Sequence, residues 1–184
     1  MVAAIVWFAA LEMLGLLALP ITFRIFGNLR DRGYAFSKLL AILLLSYTLW
    51  ITSYSHLIPN GRNTAVALTL ILGIISTWLY YRSWESITIY IRQTKNIIIA
   101  TEVVFLSIFL FWISLRALQP EINHTEQPMD LAFLNAIIRS PNFPPNDPWL
   151  SGSSISYYYF GYIMFAFVTM LTGIQSSVAF NLAL

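Results

Sequence analysis

Residues 2–23 read VAAIVWFAALEMLGLLALPITF, an apolar run interrupted by Glu12 and Pro20. Crossing the roughly 30 Å hydrocarbon core of a bilayer takes about 20 mostly apolar residues, so this run is long enough to span it. The run lacks a basic leading segment and a small-residue cleavage site, which argues against a removable signal peptide. We therefore predict that the chain starts with a membrane-spanning helix.

The composition of the whole chain agrees with this prediction. Of 184 residues, 58% are hydrophobic and only 10% are charged, whereas soluble domains carry about 25% charged residues. This excludes a soluble protein and a disordered chain. The net charge of +2 is too small for a nucleic-acid-binding surface, so we expect no nucleic-acid partner. The absence of cysteine excludes disulfides, thiolate zinc sites and iron–sulfur clusters.

Four more apolar runs follow the first, and they predict an all-α, multi-pass bundle of transmembrane helices. A last run, 178–184, is too short to cross a bilayer and predicts the start of a sixth span, so we expect an N-terminal fragment of a longer chain. The residues alone do not indicate an oligomeric state. The five predicted spans are residues 2–23, 39–58, 64–81, 97–118 and 157–174. The expected units are 1–118 with four spans and short loops, 119–156 as a long loop, and 157–184 with the last helices.

The basic residues predict the orientation of the bundle. Cytoplasmic loops near membrane spans are enriched in Lys and Arg, and seven of the ten Lys and Arg residues fall between spans one and two or between spans three and four. We therefore expect a cell-membrane protein with its N-terminus and loop 119–156 on the extracytoplasmic side. The seven are Arg24, Arg30, Arg32, Lys38, Arg82, Arg92 and Lys95.

Loop 119–156 differs in composition from the rest of the chain, because it holds most of the eight prolines and half of the acidic residues. Loops of this length are usually functional or disordered. Within it, 130–139 reads DLAFLNAIIR, with apolar residues at helical spacing. This pattern predicts a short amphipathic helix at the outer membrane surface. Asp130 would cap the start of this helix, and Arg139 would stand at its end.

Three motifs carry a family resemblance. They are TEQPMDLAFLNAIIRS at 125–140, FPPNDPWLSG at 143–152 and ISYYYFGY at 155–162, with RDRGYAFSK upstream at 30–38. In this order they resemble the YYY membrane-protein family, a largely uncharacterised group of longer proteins named for its tyrosine triplet. That family resembles, far more loosely, the C-type glycosyltransferases. This second resemblance implies a multi-pass enzyme that takes a sugar from a polyprenyl-phosphate carrier and uses acidic residues of an extracytoplasmic loop.

The chemistry of such a transfer selects the candidate site residues. It requires a base for the acceptor's proton and a positive group for the departing phosphate. Asp130 is the candidate base or metal ligand, and Glu126 stands four residues earlier. His124 and the two carboxylates could together hold a divalent metal ion, and Arg139 could bind a phosphate. The alternative is structural: Asp130 as a helix cap, Glu126 as a solvated acid and Arg139 as a partner of the helix dipole.

The tyrosines at the start of the fifth predicted span have two interpretations. Aromatic residues anchor helices at membrane interfaces, and they also stack on sugar rings or offer hydroxyls to a ligand. On a helix, the second and third tyrosines of the triplet would lie over the fourth tyrosine. The candidates for substrate contact are Tyr157, Tyr158, Tyr159 and Tyr162.

Glu12 and Glu102 fall inside predicted spans, where a charge is costly and an acid is a functional candidate. Glu12 would be protonated in the bundle interior or would pair with a polar residue of another helix. A packing role is one interpretation of both acids, and a proton or cation path through a transporter is the other. Three alternative functions therefore remain, each in contact with membrane lipid: a glycosyltransferase, a transporter, and a non-catalytic membrane scaffold whose outer cap binds a partner protein.

Overall fold

The structure is a computed structural model that describes all residues, Met1–Leu184, and the prediction of an all-α fold is confirmed. A single turn of 3-10 helix, Tyr34–Phe36, precedes the second helix. The helices are α1 (Val2–Ile25), α2 (Ser37–Tyr54), α3 (Arg62–Leu118), α4 (Gln127–Arg139), α5 (Phe160–Thr172) and α6 (Ser176–Ala183).

Three of these helices are long and apolar enough to cross a membrane: α1, α2 with its preceding turn, and α3. The prediction of five separate spans is not confirmed. The third and fourth predicted spans both fall within α3, because the polar stretch 82–96 between them contains no Gly or Pro that would end a helix. That stretch, predicted as a connection between spans, is helical except at Ser83.

Ser83 interrupts α3 with a non-helical backbone (φ −122°, ψ 17°). It divides the helix into a first arm, 62–82, and a second arm, 84–118. The interruption lies beside the end of α1, where Arg24 Nη2 donates a hydrogen bond to Ser83 Oγ (3.1 Å). The first arm thus reaches the C-terminal end of α1.

The second arm returns along α1 toward its N-terminus. Tyr90 packs edge-on against Phe23 near the end of α1 (ring centroids 5.3 Å apart). Further along the arm, Phe105 stacks on Phe8 near the start of α1 (5.6 Å). The two arms therefore run in opposite directions, although a single residue separates them.

The bundle has two chemically different ends. The basic end carries the turn at Ser83 and six Lys and Arg residues. The cap, which we define as residues 119–184, covers the other end and contains α4, α5 and α6. The six basic residues are Arg24, Arg30, Arg32, Arg82, Arg92 and Lys95.

The fifth predicted span, 157–174, folds instead as the 13-residue helix α5, which is about 20 Å long. At its start, Trp50 near the end of α2 donates its indole N–H to the Tyr159 hydroxyl (3.3 Å). At its end, Gly173 lies against the guanidinium of Arg62, the first residue of α3, since an added Cβ would stand 3.1 Å from it. Both ends of α5 therefore lie at the cap end, and the helix runs across the bundle.

Helix α4 confirms the prediction of an amphipathic helix near 130–139, with its start three residues earlier. It buries Phe133, Leu134 and Ile137. The buried amide of Asn60, in the α2–α3 loop, donates to the carbonyls of Ile137 (2.7 Å) and Ser140 (2.9 Å). These bonds satisfy carbonyls that a helix end leaves without partners, so Asn60 fixes the end of α4 to the bundle.

Candidate functional site

Asp130 lies half-buried in the first turn of α4, and its carboxylate meets Tyr162 in the first turn of α5. The Tyr162 hydroxyl donates to Asp130 Oδ1 at 2.5 Å. Burial raises the pKa of Tyr162 above its ordinary value, and the hydrogen bond to Asp130 raises it further, so the phenol remains a donor. Asp130 makes no capping bond to the α4 amides, so the predicted capping role is wrong.

Beside this pair opens a crevice of about 100 Å³ with Leu134 and Phe165 in its walls. Phe165, Ala183 and Leu184 also line a larger groove of about 370 Å³. We call this larger cavity the long groove; it runs between α2 and the second arm of α3, from the cap down to Lys38. Its other walls are apolar: Trp7, Leu11, Ala35, Leu39, Ile42, Phe105, Ile108, Phe109, Trp112, Val168 and Leu182. The crevice beside the Asp130–Tyr162 pair and the long groove thus share three wall residues.

The other acidic and metal-binding candidates stand apart from this pair. Glu126 precedes α4, and its carbonyl accepts the Asp130 N–H (2.9 Å), while its side chain is exposed. His124 is exposed as well. The chain contains no group of three His, Cys, Asp or Glu side chains that could hold a metal ion. His124, Glu126 and Asp130 therefore do not form the predicted three-ligand arrangement.

Arg139 belongs to a different surface. It lies nine residues after Asp130 on the same helix, which means about 13 Å further along and on the opposite face. It lines a polar cavity of about 440 Å³ together with Asn135, Asn146 and Asp147. The structure does not bring Asp130 and Arg139 together, so the two cannot act on the same atoms of one small ligand.

Tyr157 of the triplet and the fourth tyrosine, Tyr162, both pack against the ring of Phe133. Residues 157–159 precede α5, so the predicted helical arrangement over Tyr162 is wrong. Tyr157 stacks on Phe133 of α4 (5.4 Å between centroids), and Tyr158 is 87% exposed. The triplet borders an aromatic cavity of about 480 Å³. Its lining is Tyr47, Trp50, Tyr157, Tyr158, Tyr159, Phe160 and Gly161.

Lys38 joins the two acids inside the bundle. Its Nζ lies 3.2 Å from Glu12 Oε2 and 2.6 Å from Glu102 Oε1. Tyr34 also donates its hydroxyl to Glu102 Oε1 (2.8 Å). Of the two alternatives for Glu12, the contact with Lys38 corresponds to pairing with a polar residue of another helix. Lys38 was predicted to lie in a loop, but it belongs to the first turn of α2 and reaches inward.

Sequence reasoning did not identify Lys38 or Tyr34 as partners of the acids. A signal did exist, because two acids within apolar runs need a cation, and Lys38 stands at the border of the second run. Gly15 makes the approach possible, since a Cβ at that position would lie 2.8 Å from Lys38 Cγ. Trp50 and Tyr47 were likewise not predicted as site residues, because their aromatic neighbours come from the distant segment 157–161.

Comparison with known proteins gives one match. No curated protein and no solved structure matches this chain. Residues 44–184 match the sequence model of a family described as an uncharacterized membrane protein, DUF2298. This agrees at a coarse level with the resemblance to a YYY-type membrane family, and it shows no resemblance to glycosyltransferases. The chain belongs to the uncharacterised membrane protein family DUF2298.

Proposed function

We propose that this protein is a membrane-embedded glycosyltransferase that moves a sugar from a polyprenyl-phosphate carrier at its cap, on the extracytoplasmic side of the cell membrane. The observation that carries the proposal is the position of the Asp130 carboxylate in a crevice that shares three wall residues with the cap end of the long groove. A lipid-linked sugar needs an apolar passage for its hydrocarbon chain and a polar group where its head begins. The crevice and the groove together offer both.

In the proposed step, Asp130 acts as the general base. Its carboxylate takes the proton of the acceptor hydroxyl, the acceptor oxygen bonds to the anomeric carbon, and the bond from that carbon to the phosphate oxygen breaks. The electron pair leaves with the polyprenyl phosphate. Tyr162 holds Asp130 Oδ1, and Oδ2 makes no hydrogen bond within the protein. Tyr162 is a positioning residue, because it acts through the carboxylate.

The proposal gives Arg139 and a metal ion no part in this step, so the positive group for the departing phosphate is neither of these two candidates. Arg139 faces another cavity, and the described residues contain no three-ligand group. The tyrosine triplet remains a candidate for contact with a sugar ring, since stacking on an aromatic face suits the cavity beside Trp50.

The experiment compares variants of the full-length protein in membranes that are supplied with polyprenyl-phosphate carriers bearing radiolabelled glucose or mannose. Removal of a general base typically costs about 10²- to 10⁴-fold in rate, so Asp130→Asn should lose at least 100-fold of the transfer rate. Glu126→Gln is the matched control, because it makes the same change on an exposed side chain one turn earlier. Transfer by Asp130→Asn at the rate of the control would refute the proposal.

The transporter and scaffold alternatives lack a comparable observation. Glu12 and Glu102 both contact Lys38. This ion pairing explains the presence of two acids within the bundle without a transport role. No feature of the cap identifies a protein partner.

A further inference from the structure

A second groove lies on the side of the bundle, between α1 and the first arm of α3. It has a volume of about 750 Å³, and Met13 and Leu17 form its α1 wall. Its α3 wall extends from Thr69 to Tyr81. The hydroxyls of Thr69 and Thr77 in this wall donate to backbone carbonyls of their own helix (both 2.8 Å). The side groove therefore presents an almost wholly apolar surface.

The lower end of the side groove reaches the basic end of the bundle. There Trp78 and Tyr81 are 54% and 86% exposed, as expected of aromatic residues at a membrane interface. The Arg82 guanidinium lies over the Trp78 ring, 5.1 Å from its centroid. Arg24 of α1 donates to Ser83 Oγ, and Ser83 directly follows Arg82 in the chain. One cation thus contacts a wall residue of the groove, and a second lies beside the turn that follows this wall.

Neither arginine has an acidic partner. Both ion pairs of the chain belong to Lys38. Asp31, a nearby acid, is engaged with the backbone amides of Gly33 and Ala35, and Glu85 forms no ion pair. The positive charge of Arg24 and Arg82 is therefore available to an anion.

We propose that the side groove binds an anionic phospholipid of the leaflet at the basic end. One hydrocarbon chain lies along Leu17 and Gly73, and the phosphate accepts hydrogen bonds from Arg24 and Arg82. The charge complementarity selects this occupant, since two unpaired guanidinium groups at the end of an apolar groove match a headgroup with net negative charge. A zwitterionic lipid would fit the same walls but would gain less from the cations. This site is independent of the function proposed for the cap.

The test measures lipid retained by the purified full chain in nanodiscs of equal parts phosphatidylglycerol and phosphatidylcholine, followed by native mass spectrometry. Wild-type protein should retain phosphatidylglycerol preferentially. The double variant Arg24→Gln/Arg82→Gln should lose about 30-fold of that preference, since each surface cation contributes about 1 kcal/mol. The matched control is Arg30→Gln/Arg92→Gln, which removes two cations from the same end and leaves the groove unchanged.

A variant of the walls gives a second, independent measurement. Gly73 faces Leu17, with room for a Cβ at 4.0 Å from Leu17 Cδ2, so Gly73→Leu places a branched chain in the groove. It should lower the retention of both lipids while the helix content by circular dichroism stays the same. Equal losses in the Arg24/Arg82 variant and its control would mean general surface attraction and would overturn the proposal. Unchanged retention in Gly73→Leu would overturn it as well.

Discussion

Replacing Lys38 with methionine tests the charged cluster inside the bundle. The change keeps an apolar stem of similar length and removes the cation that faces Glu12 and Glu102. Both carboxylates then remain within the bundle without an opposite charge. Since Lys38 contacts them at 3.2 and 2.6 Å, the variant breaks two interactions at once.

The expected loss in the free energy of unfolding follows from the burial of the three groups. Removing one partner of a buried ion pair costs about 3–5 kcal/mol, because the other charge is left uncompensated. The Lys38 side chain is 15% exposed, and the Glu12 and Glu102 side chains are each 28% exposed. Water therefore still partly solvates the charges that remain in the variant. We expect a loss near the lower bound, about 3 kcal/mol.

The measurement is reversible unfolding of the purified protein in mixed micelles by titration with SDS, followed by tryptophan fluorescence. Lys95→Met is the control, because Lys95 is exposed and has no ion pair; its loss should stay within about 0.5 kcal/mol. The combined change Glu12→Leu, Lys38→Met and Glu102→Leu should lose much less than Lys38→Met alone, since replacing a whole buried ion cluster with apolar residues is often neutral. Equal losses in Lys38→Met and Lys95→Met would refute the reasoning.

Three further changes test other parts of the fold. Asn60→Ala removes two hydrogen bonds to the last carbonyls of α4 (2.7 and 2.9 Å), and we expect a loss of about 1–3 kcal/mol in the same SDS titration, with faster proteolysis of loop 140–155. Gly33→Ala forces a left-handed backbone (φ +76°) and sets a Cβ 2.5 Å from Phe26 Cδ2, so its melting temperature should fall, whereas an unchanged value would contradict the contact. Tyr162→Phe removes the donor to Asp130, and transfer activity should fall by less than in Asp130→Asn while its pH profile shifts; an unchanged profile would contradict a positioning role.

Much of the bundle could be predicted from hydrophobic runs. The first two spans were predicted within four residues of the observed ends of α1 and α2. The amphipathic spacing of residues 130–139 correctly predicted α4, because Leu134 and Ile137 are buried against other apolar side chains. In these segments, the local pattern and the final packing agree.

The rest depends on contacts between distant segments. Apolar composition is the same for a helix that crosses a membrane and for one that lies across the end of a bundle, so α5 could not be distinguished from a span. The connection at 82–96 stayed helical because polarity alone does not end a helix. Counting the basic residues of the loops placed Lys38 in a surface loop, because such a count does not consider an acidic residue on another helix that could pair with it. The separation of Asp130 from Arg139, by contrast, could have been predicted, because a spacing of nine residues on one helix puts two side chains about 13 Å apart along the axis and on opposite faces.

The Glu12–Lys38–Glu102 cluster has a consequence for the synthesis and membrane insertion of the protein. Its members come from the first, second and third helices, and synthesis delivers them in that order. A nascent chain that has released only α1 and α2 already holds one carboxylate and one ammonium, a charge-neutral hairpin that can leave the insertion machinery. Glu102 arrives later, on the returning arm of α3, and shares the cation that already contacts Glu12. Glu12 thus has no opposite charge until α2 has joined α1, so the pairing of the first two helices is the step on which the cluster depends.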